Sequence, residues 1–144
     1  MNKEIKTEII IHATREKIWQ VLTDFEQYTQ WNPFIVSIEG KPVKGTRLKN
    51  TLQNGDKQFQ FKPVVTVAEP GKSFAWLGSL LVKGIFDGLH SFELEDVGNG
   101  QVKLIHAEQF SGLLSGFILK KIGQDTRNNF VKMNTAIKKR AETI

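Results

Sequence analysis

Two histidines and a glutamate carry the most suggestive chemistry in this sequence. His90 stands in an alternating run with Phe86, Phe92 and Leu94, while His106 and Glu108 alternate with Val102, Leu104 and Phe110. Alternation of this kind predicts two strands, each with one buried face. The turn Val97-Gly98-Asn99-Gly100 between them predicts an antiparallel pair. A register that sets Phe92 and Leu94 against Leu104 and Val102 places His90 opposite His106, with Glu108 two residues further along the same face. Two imidazoles and a carboxylate then look into an apolar space. Such a trio orients a ligand carbonyl or hydroxyl, exchanges protons near neutral pH, or holds a metal. The plainer alternative is that the three side chains bond to one another, to backbone or to buried water. One register slip would part the histidines onto opposite faces.

Other catalytic signatures are missing. The sequence contains no Gly-rich phosphate loop, no Ser nucleophile elbow, no zinc-binding HExxH and no dinucleotide fingerprint. It contains no cysteine, which removes disulfides, thiol nucleophiles and thiolate metal sites and suits a reducing cytoplasm. A formal charge of +5 is spread along the chain, with no basic stripe interleaved with aromatics, so nucleic acid is not an expected partner. No apolar run approaches the ~18 residues needed to span a bilayer, and stable membrane insertion is not expected. The amino terminus has charges within its apolar pattern and lacks the form of a signal peptide, which favours a soluble, cytoplasmic protein.

The elements that would position the trio are readable from period. Lys3 to Ile11 alternates, with Ile5, Thr7, Ile9 and Ile11 on one face, and predicts the first strand. Thr14 is placed to cap a helix carrying Ile18, Trp19, Leu22 and Phe25 on one stripe. Asp24 is placed to cap a second short helix that ends where Asn32 precedes Pro33. Strands follow: Phe34 to Ile38, then a hairpin at Asn54-Gly55, then a strand with Phe59, Phe61, Val65 and Val67 in which Pro63 marks an edge or bulge. Phe74 and Trp76 share the face of a further strand. After Ser111-Gly112 the period changes to about 3.6, and Leu113, Leu114, Phe117, Ile118, Ile122, Phe130, Met133 and Ile137 fall near one face of a long helix. Gly123 and the polar run after it predict a bend or a polar contact midway; Arg127 with Asp125 either contacts the sheet or the short helices or, as the plainer expectation, belongs to a solvated helix face.

A chain of 144 residues in this order predicts a single domain over residues 1–144, of the α+β class. It has a curved antiparallel sheet of about seven strands, two short helices after the first strand, and a long carboxyl-terminal helix. Ten Phe, three Trp and one Tyr supply its interior. The aromatic stripes either fill a core or line a hydrophobic pocket. In the second case the lining is Phe34, Phe59, Phe61, Trp76, Phe92 and Phe110 from the sheet, with Phe117, Phe130 and Met133 from the helix. His90, His106 and Glu108 are its polar groups. Trp31, beside the Asn-Pro stop, packs under the helix pair or lines the pocket mouth.

Four segments, VLTDFEQYTQWNPF (Val21 to Phe34), GIFDGLHSFELE (Gly84 to Glu95), EQFSGLL (Glu108 to Leu114) and DTRNNFVKMNTAIKKRAE (Asp125 to Glu142), carry a family resemblance. Together they resemble the SRPBCC superfamily of START and birch-pollen-allergen-like domains, in its polyketide cyclase/dehydrase type, across essentially the whole chain. The resemblance implies a helix-grip fold and an internal cavity for hydrophobic small molecules. The expected function is binding of a hydrophobic or amphipathic small molecule, with no cofactor needed and no reaction required. An acid–base cyclase or dehydratase and a protein-interaction module are the alternatives, the latter with its protein partner unknown.

Overall fold

The computed structural model describes residues 3–80 and 83–144. Strand β1 (Glu4–Ile11) is followed by helix α1 (Arg15–Thr23), a 3-10 turn (Phe25–Gln27) and helix α2 (Tyr28–Trp31). Seven strands come next: β2 (Ile35–Glu39), β3 (Lys49–Asn54), β4 (Lys57–Phe61), β5 (Val64–Glu69), β6 (Ser73–Leu80), β7 (Phe86–Gly98) and β8 (Gln101–Ser111). Helix α3 (Ser115–Thr143) closes the chain. The helix-grip arrangement expected from sequence is present, with a long helix across curved antiparallel sheets.

The strands form two sheets. One has the order β1-β8-β7-β6-β5, the other β2-β3-β4. The strand expected to run through Phe59 and Val67 is instead two strands in different sheets, divided at Lys62-Pro63. Proline has no N–H for the ladder. Its carbonyl is still used, accepting from the Leu48 N–H at 2.7 Å, and together with the Arg47–Val64 bridge this joins the sheets at the bend.

Local signals explain the helices. Thr14 Oγ1 accepts from the Lys17 N–H at 3.1 Å and caps α1, satisfying one of its unpaired donors. Asp24 does not cap the next segment through its side chain as the sequence suggested; its carbonyl accepts the Gln27 N–H in the 3-10 turn. Asn32 ends α2 in extended geometry, and its Oδ1 takes the N–H groups of both Phe34 and Ile35 at 2.9 Å. The rigid corner before β2 follows from that double acceptance.

Helix α3 is continuous, and the anticipated polar contacts at its middle are real. Arg127 donates to the Lys6 carbonyl at 3.0 Å, and Asn129 Nδ2 donates to Asn54 Oδ1 at 3.3 Å. Its two halves are held differently. Phe130, Met133, Asn134, Ile137 and Ala141 are buried, whereas between Gly116 and Asn129 no side chain is fully buried. The carboxyl-terminal half is also tied down by polar bonds, for Lys138 Nζ reaches the Ile10 carbonyl at 3.0 Å and Glu142 accepts the His12 N–H at 2.7 Å.

Candidate functional site

The inner face of the five-stranded sheet presents Phe74 and Trp76 from β6, His90, Phe92 and Leu94 from β7, and Leu104 and His106 from β8. All are buried. The register differs from the sequence reading by two residues: His90 stands opposite Glu108, and Phe92 opposite His106. A shift of two preserves the face, because side chains alternate with period two. The imidazoles therefore still meet, across a diagonal, with Nε2 to Nε2 at 2.7 Å.

Beyond the histidines lie two residues that sequence reasoning passed over. His106 Nδ1 is 2.7 Å from Asn134 Oδ1 on α3, Asn134 Nδ2 donates to Thr7 Oγ1 on β1 at 2.8 Å, and Thr7 Oγ1 donates to the His106 carbonyl at 2.8 Å. On the other side, His90 Nδ1 is 3.3 Å from Glu108 Oε1. The result is a buried polar chain running Glu108, His90, His106, Asn134, Thr7. Thr7 and Asn134 each carried a readable signal, a small polar residue within an otherwise apolar inward stripe.

Proton positions follow from the donor inventory. The Thr7 hydroxyl has one proton, committed to the carbonyl, so Thr7 Oγ1 accepts from Asn134 and the amide oxygen faces His106. His106 therefore carries its proton on Nδ1. Burial, reinforced by neighbouring His90 and opposed by the Asn134 bond, holds the His106 pKa well below the ordinary histidine value. The ring is neutral, its Nε2 is an acceptor, and His90 must donate Nε2–H to it. His90 Nδ1, on the other side of the ring, faces the Glu108 carboxyl group at 3.3 Å. Glu108, 19% exposed at its side chain, is the most open member of the chain. Its carboxylate rests over Gly88, where an added Cβ would fall 2.1 Å from Oε2.

Aromatic rings fix the imidazoles. Trp76 stacks on His90 at 4.8 Å between centroids, and Phe92 and Phe130 stack on His106 at 4.4 and 4.1 Å. The 2.7 Å contact is shorter than the gap two nitrogens keep when they share a metal through bonds of about 2.0–2.1 Å. Among the described residues no group of three or more acidic or histidine side chains is placed to hold an ion.

The remaining expected lining divides. Phe34 packs on Phe130 at 5.7 Å, Phe110 stacks on Phe86 at 5.3 Å, and Met133 is buried. Phe61 lies half-buried against Gly78. Trp31 packs on Tyr28 at 5.0 Å and borders a surface groove of about 160 Å³ with Gln27 and Arg140. Phe59 pairs with Leu52 and so shares its face, yet is 47% exposed. Phe117 is 61% exposed. Thirteen residues at about 100° each turn it roughly 140° away from Phe130, onto the outer side of α3.

Phe130, Met133 and Ile137, none of them exposed to solvent, fill the space under the carboxyl-terminal half of α3. A groove of about 370 Å³ opens elsewhere, between the start of α1 and the β7–β8 turn. Polar atoms nevertheless remain unmatched inside. Among the described residues Asn50, at 0% exposure, has no partner for either amide atom, and Trp76 Nε1 also has none. Asn50 and Asn54 share a face of β3, and Asn54 meets α3, so Asn50 looks toward the helix.

The family described as polyketide cyclase / dehydrase and lipid transport matches residues 3–142. The chain belongs to that family. No curated protein sequence matches it. Solved structures share its fold. A hypothetical protein from Helicobacter pylori has a TM-score of 0.81 at 17% identity, over 96% of this chain and 87% of its own. The Zhui aromatase/cyclase from Streptomyces sp. R1128 has a TM-score of 0.78 at 15% identity, over 96% and 93%. A START superfamily protein from Mycobacterium smegmatis has a TM-score of 0.73 at 20% identity, over 96% and 97%. The SRPBCC resemblance read from the four sequence segments thus stands. Among the described residues no helix is long and apolar enough to cross a membrane.

Proposed function

We propose that the protein binds an amphipathic small molecule between the sheets and the amino-terminal half of α3, with the guest's polar group meeting Asn50, Trp76 and the Glu108 end of the polar chain. The carrying observation is Asn50. An unmatched buried amide costs about 1–3 kcal/mol per group, and a guest with both a donor and an acceptor removes that cost. Apolar burial against Phe59, Phe61 and Leu52 supplies affinity. Entry is supported by residues 116–129, where Ile118 and Leu119 pack on the core but no side chain is fully buried. The lack of cysteine suits a reducing cytoplasm, which we take as the setting.

The test is native mass spectrometry of the protein from its own host, beside Asn50→Leu. A co-purifying small molecule is expected in the native protein and depleted in the variant. The variant itself is expected to unfold at equal or higher urea, because an apolar side chain of similar size replaces two unpaired groups. Equal guest occupancy in both proteins would remove Asn50 from the site.

A second reading, an acid–base enzyme of the cyclase or dehydratase kind, is favoured by the imidazole of His90 and the carboxyl group of Glu108 standing 3.3 Å apart at the edge of the interior. His90→Gln separates the two readings. Binding alone predicts reduced affinity and nothing more, whereas catalysis predicts turnover lost with the guest still bound.

A further inference from the structure

The corner where β8 turns into α3 is apolar, outward-facing and rigid. Leu113 is 83% exposed, and Leu114 and Phe117 are exposed beside it. This is not a loose loop. The N–H groups of Leu113 and Leu114 donate to the Gly84 and Ile85 carbonyls at 2.9 Å, and Ser115 Oγ donates to the Gly112 carbonyl at 2.9 Å. Gly112 sits at φ +108° against the Ile85 backbone, so close that any Cβ would fall 2.6 Å from it. The backbone is locked in a pose that presents Leu113 and Phe117 to solvent.

Lysines gather near the corner: Lys83 precedes β7, and Lys120 and Lys121 follow within the first two turns of α3. Lys83, Lys120 and Lys121 are exposed, and Lys121 Nζ lies 4.8 Å from the Phe117 ring centre. The adjoining carboxylate, Asp87, is engaged by the Gly84 N–H at 3.0 Å. Apolar side chains at the tip with lysines around them match the layering of a bilayer interface, acyl region beneath anionic headgroups.

We infer that this corner docks the protein onto anionic lipid surfaces, with Leu113 and Phe117 entering the headgroup–acyl boundary and Lys83, Lys120 and Lys121 contacting lipid phosphates. The inference goes beyond guest binding and stands without it. It also gives that binding a place to happen, because the corner is three to five residues along β8 from Glu108.

The experiment is sedimentation of the full chain, with no guest added, with vesicles of phosphatidylcholine and with vesicles that also contain phosphatidylglycerol. Binding is expected to the second kind, and to weaken when salt rises to about 0.5 M, where screening lengths shrink to a few Å. Phe117→Ser is expected to weaken it about tenfold or more by removing one buried aromatic. Lys120→Gln with Lys121→Gln should cost about fivefold per lysine. All variants alter exposed side chains, and unchanged thermal unfolding confirms that they fold. Absence of binding to either vesicle overturns the proposal, as does Phe117→Ser binding like the native protein. A dimer in sedimentation velocity that Leu113→Ser dissociates would assign the corner to a second copy instead. Since no guest is present, a failed search for a co-purifying small molecule leaves these outcomes untouched.

Discussion

At the scale of single residues, His106 decides how the interior responds to acid. Its pKa is depressed in the folded protein and near 6.5 in the unfolded chain. Above about pH 6.5 its contribution to stability is fully present; below it the unfolded chain takes up a proton that the fold refuses, so stability falls as pH falls toward the depressed value. The slope is at most about 1.4 kcal/mol per pH unit, measurable by urea unfolding at about pH 7.5 and about pH 5.5, and it should flatten in His106→Asn. Asn134→Ala is expected to cost about 1–3 kcal/mol at neutral pH, because it strands the His106 Nδ1–H and removes the donor to Thr7 in a dry site. Equal urea midpoints for Asn134→Ala and the native protein would mean that the polar chain is not closed as described. Gly88→Ala is expected to push the Glu108 side chain off its resting place and away from His90, which a crystal structure of the variant checks.

At the scale of elements, α3 is two helices in energetic terms though one in geometry. Its carboxyl-terminal half is anchored by buried Phe130, Met133 and Ile137, and Phe130→Ala should destabilise by about 3–5 kcal/mol, since a ring stacked on His106 leaves a void the sheet cannot collapse into. Its amino-terminal half lacks such anchors. Amide hydrogen exchange should therefore be faster from Gly116 to Asn129 than from Phe130 to Thr143. Uniform protection along α3 would contradict the uneven burial. Period made this helix legible in the sequence, but not which way each half faces. Leu113 and Phe117 counted as apolar positions beside Phe130, and only the angle accumulated over thirteen residues puts Phe117 on the opposite side. Likewise the β7–β8 pattern fixed the inward face of His90, His106 and Glu108, while the register depended on the bulge between Asp96 and Gly98, which no alternation reveals. Asn134, Thr7 and Asn50 were invisible as a set because they lie on three elements brought together only by folding.

At the scale of the whole molecule, the fold was legible because strand and helix periods follow one another in one order along the chain, and Pro63 and Gly112 mark two of its changes of direction. The division into two sheets was not, since a proline inside an apolar run reads equally as a bulge. Lys83, Lys120 and Lys121 lie near the apolar corner, whereas Glu93, Glu95 and Asp96 lie toward the far end of β7, where Lys103 pairs with Glu95 at 3.7 Å.

The bond between Thr7 and Asn134 spans 127 positions of chain. During synthesis the first strand leaves the ribosome long before its partner helix exists, so no nascent fragment ending before Asn134 can complete the buried relay. A chain cut short before Asn134 would lose the link that joins His106 to Thr7.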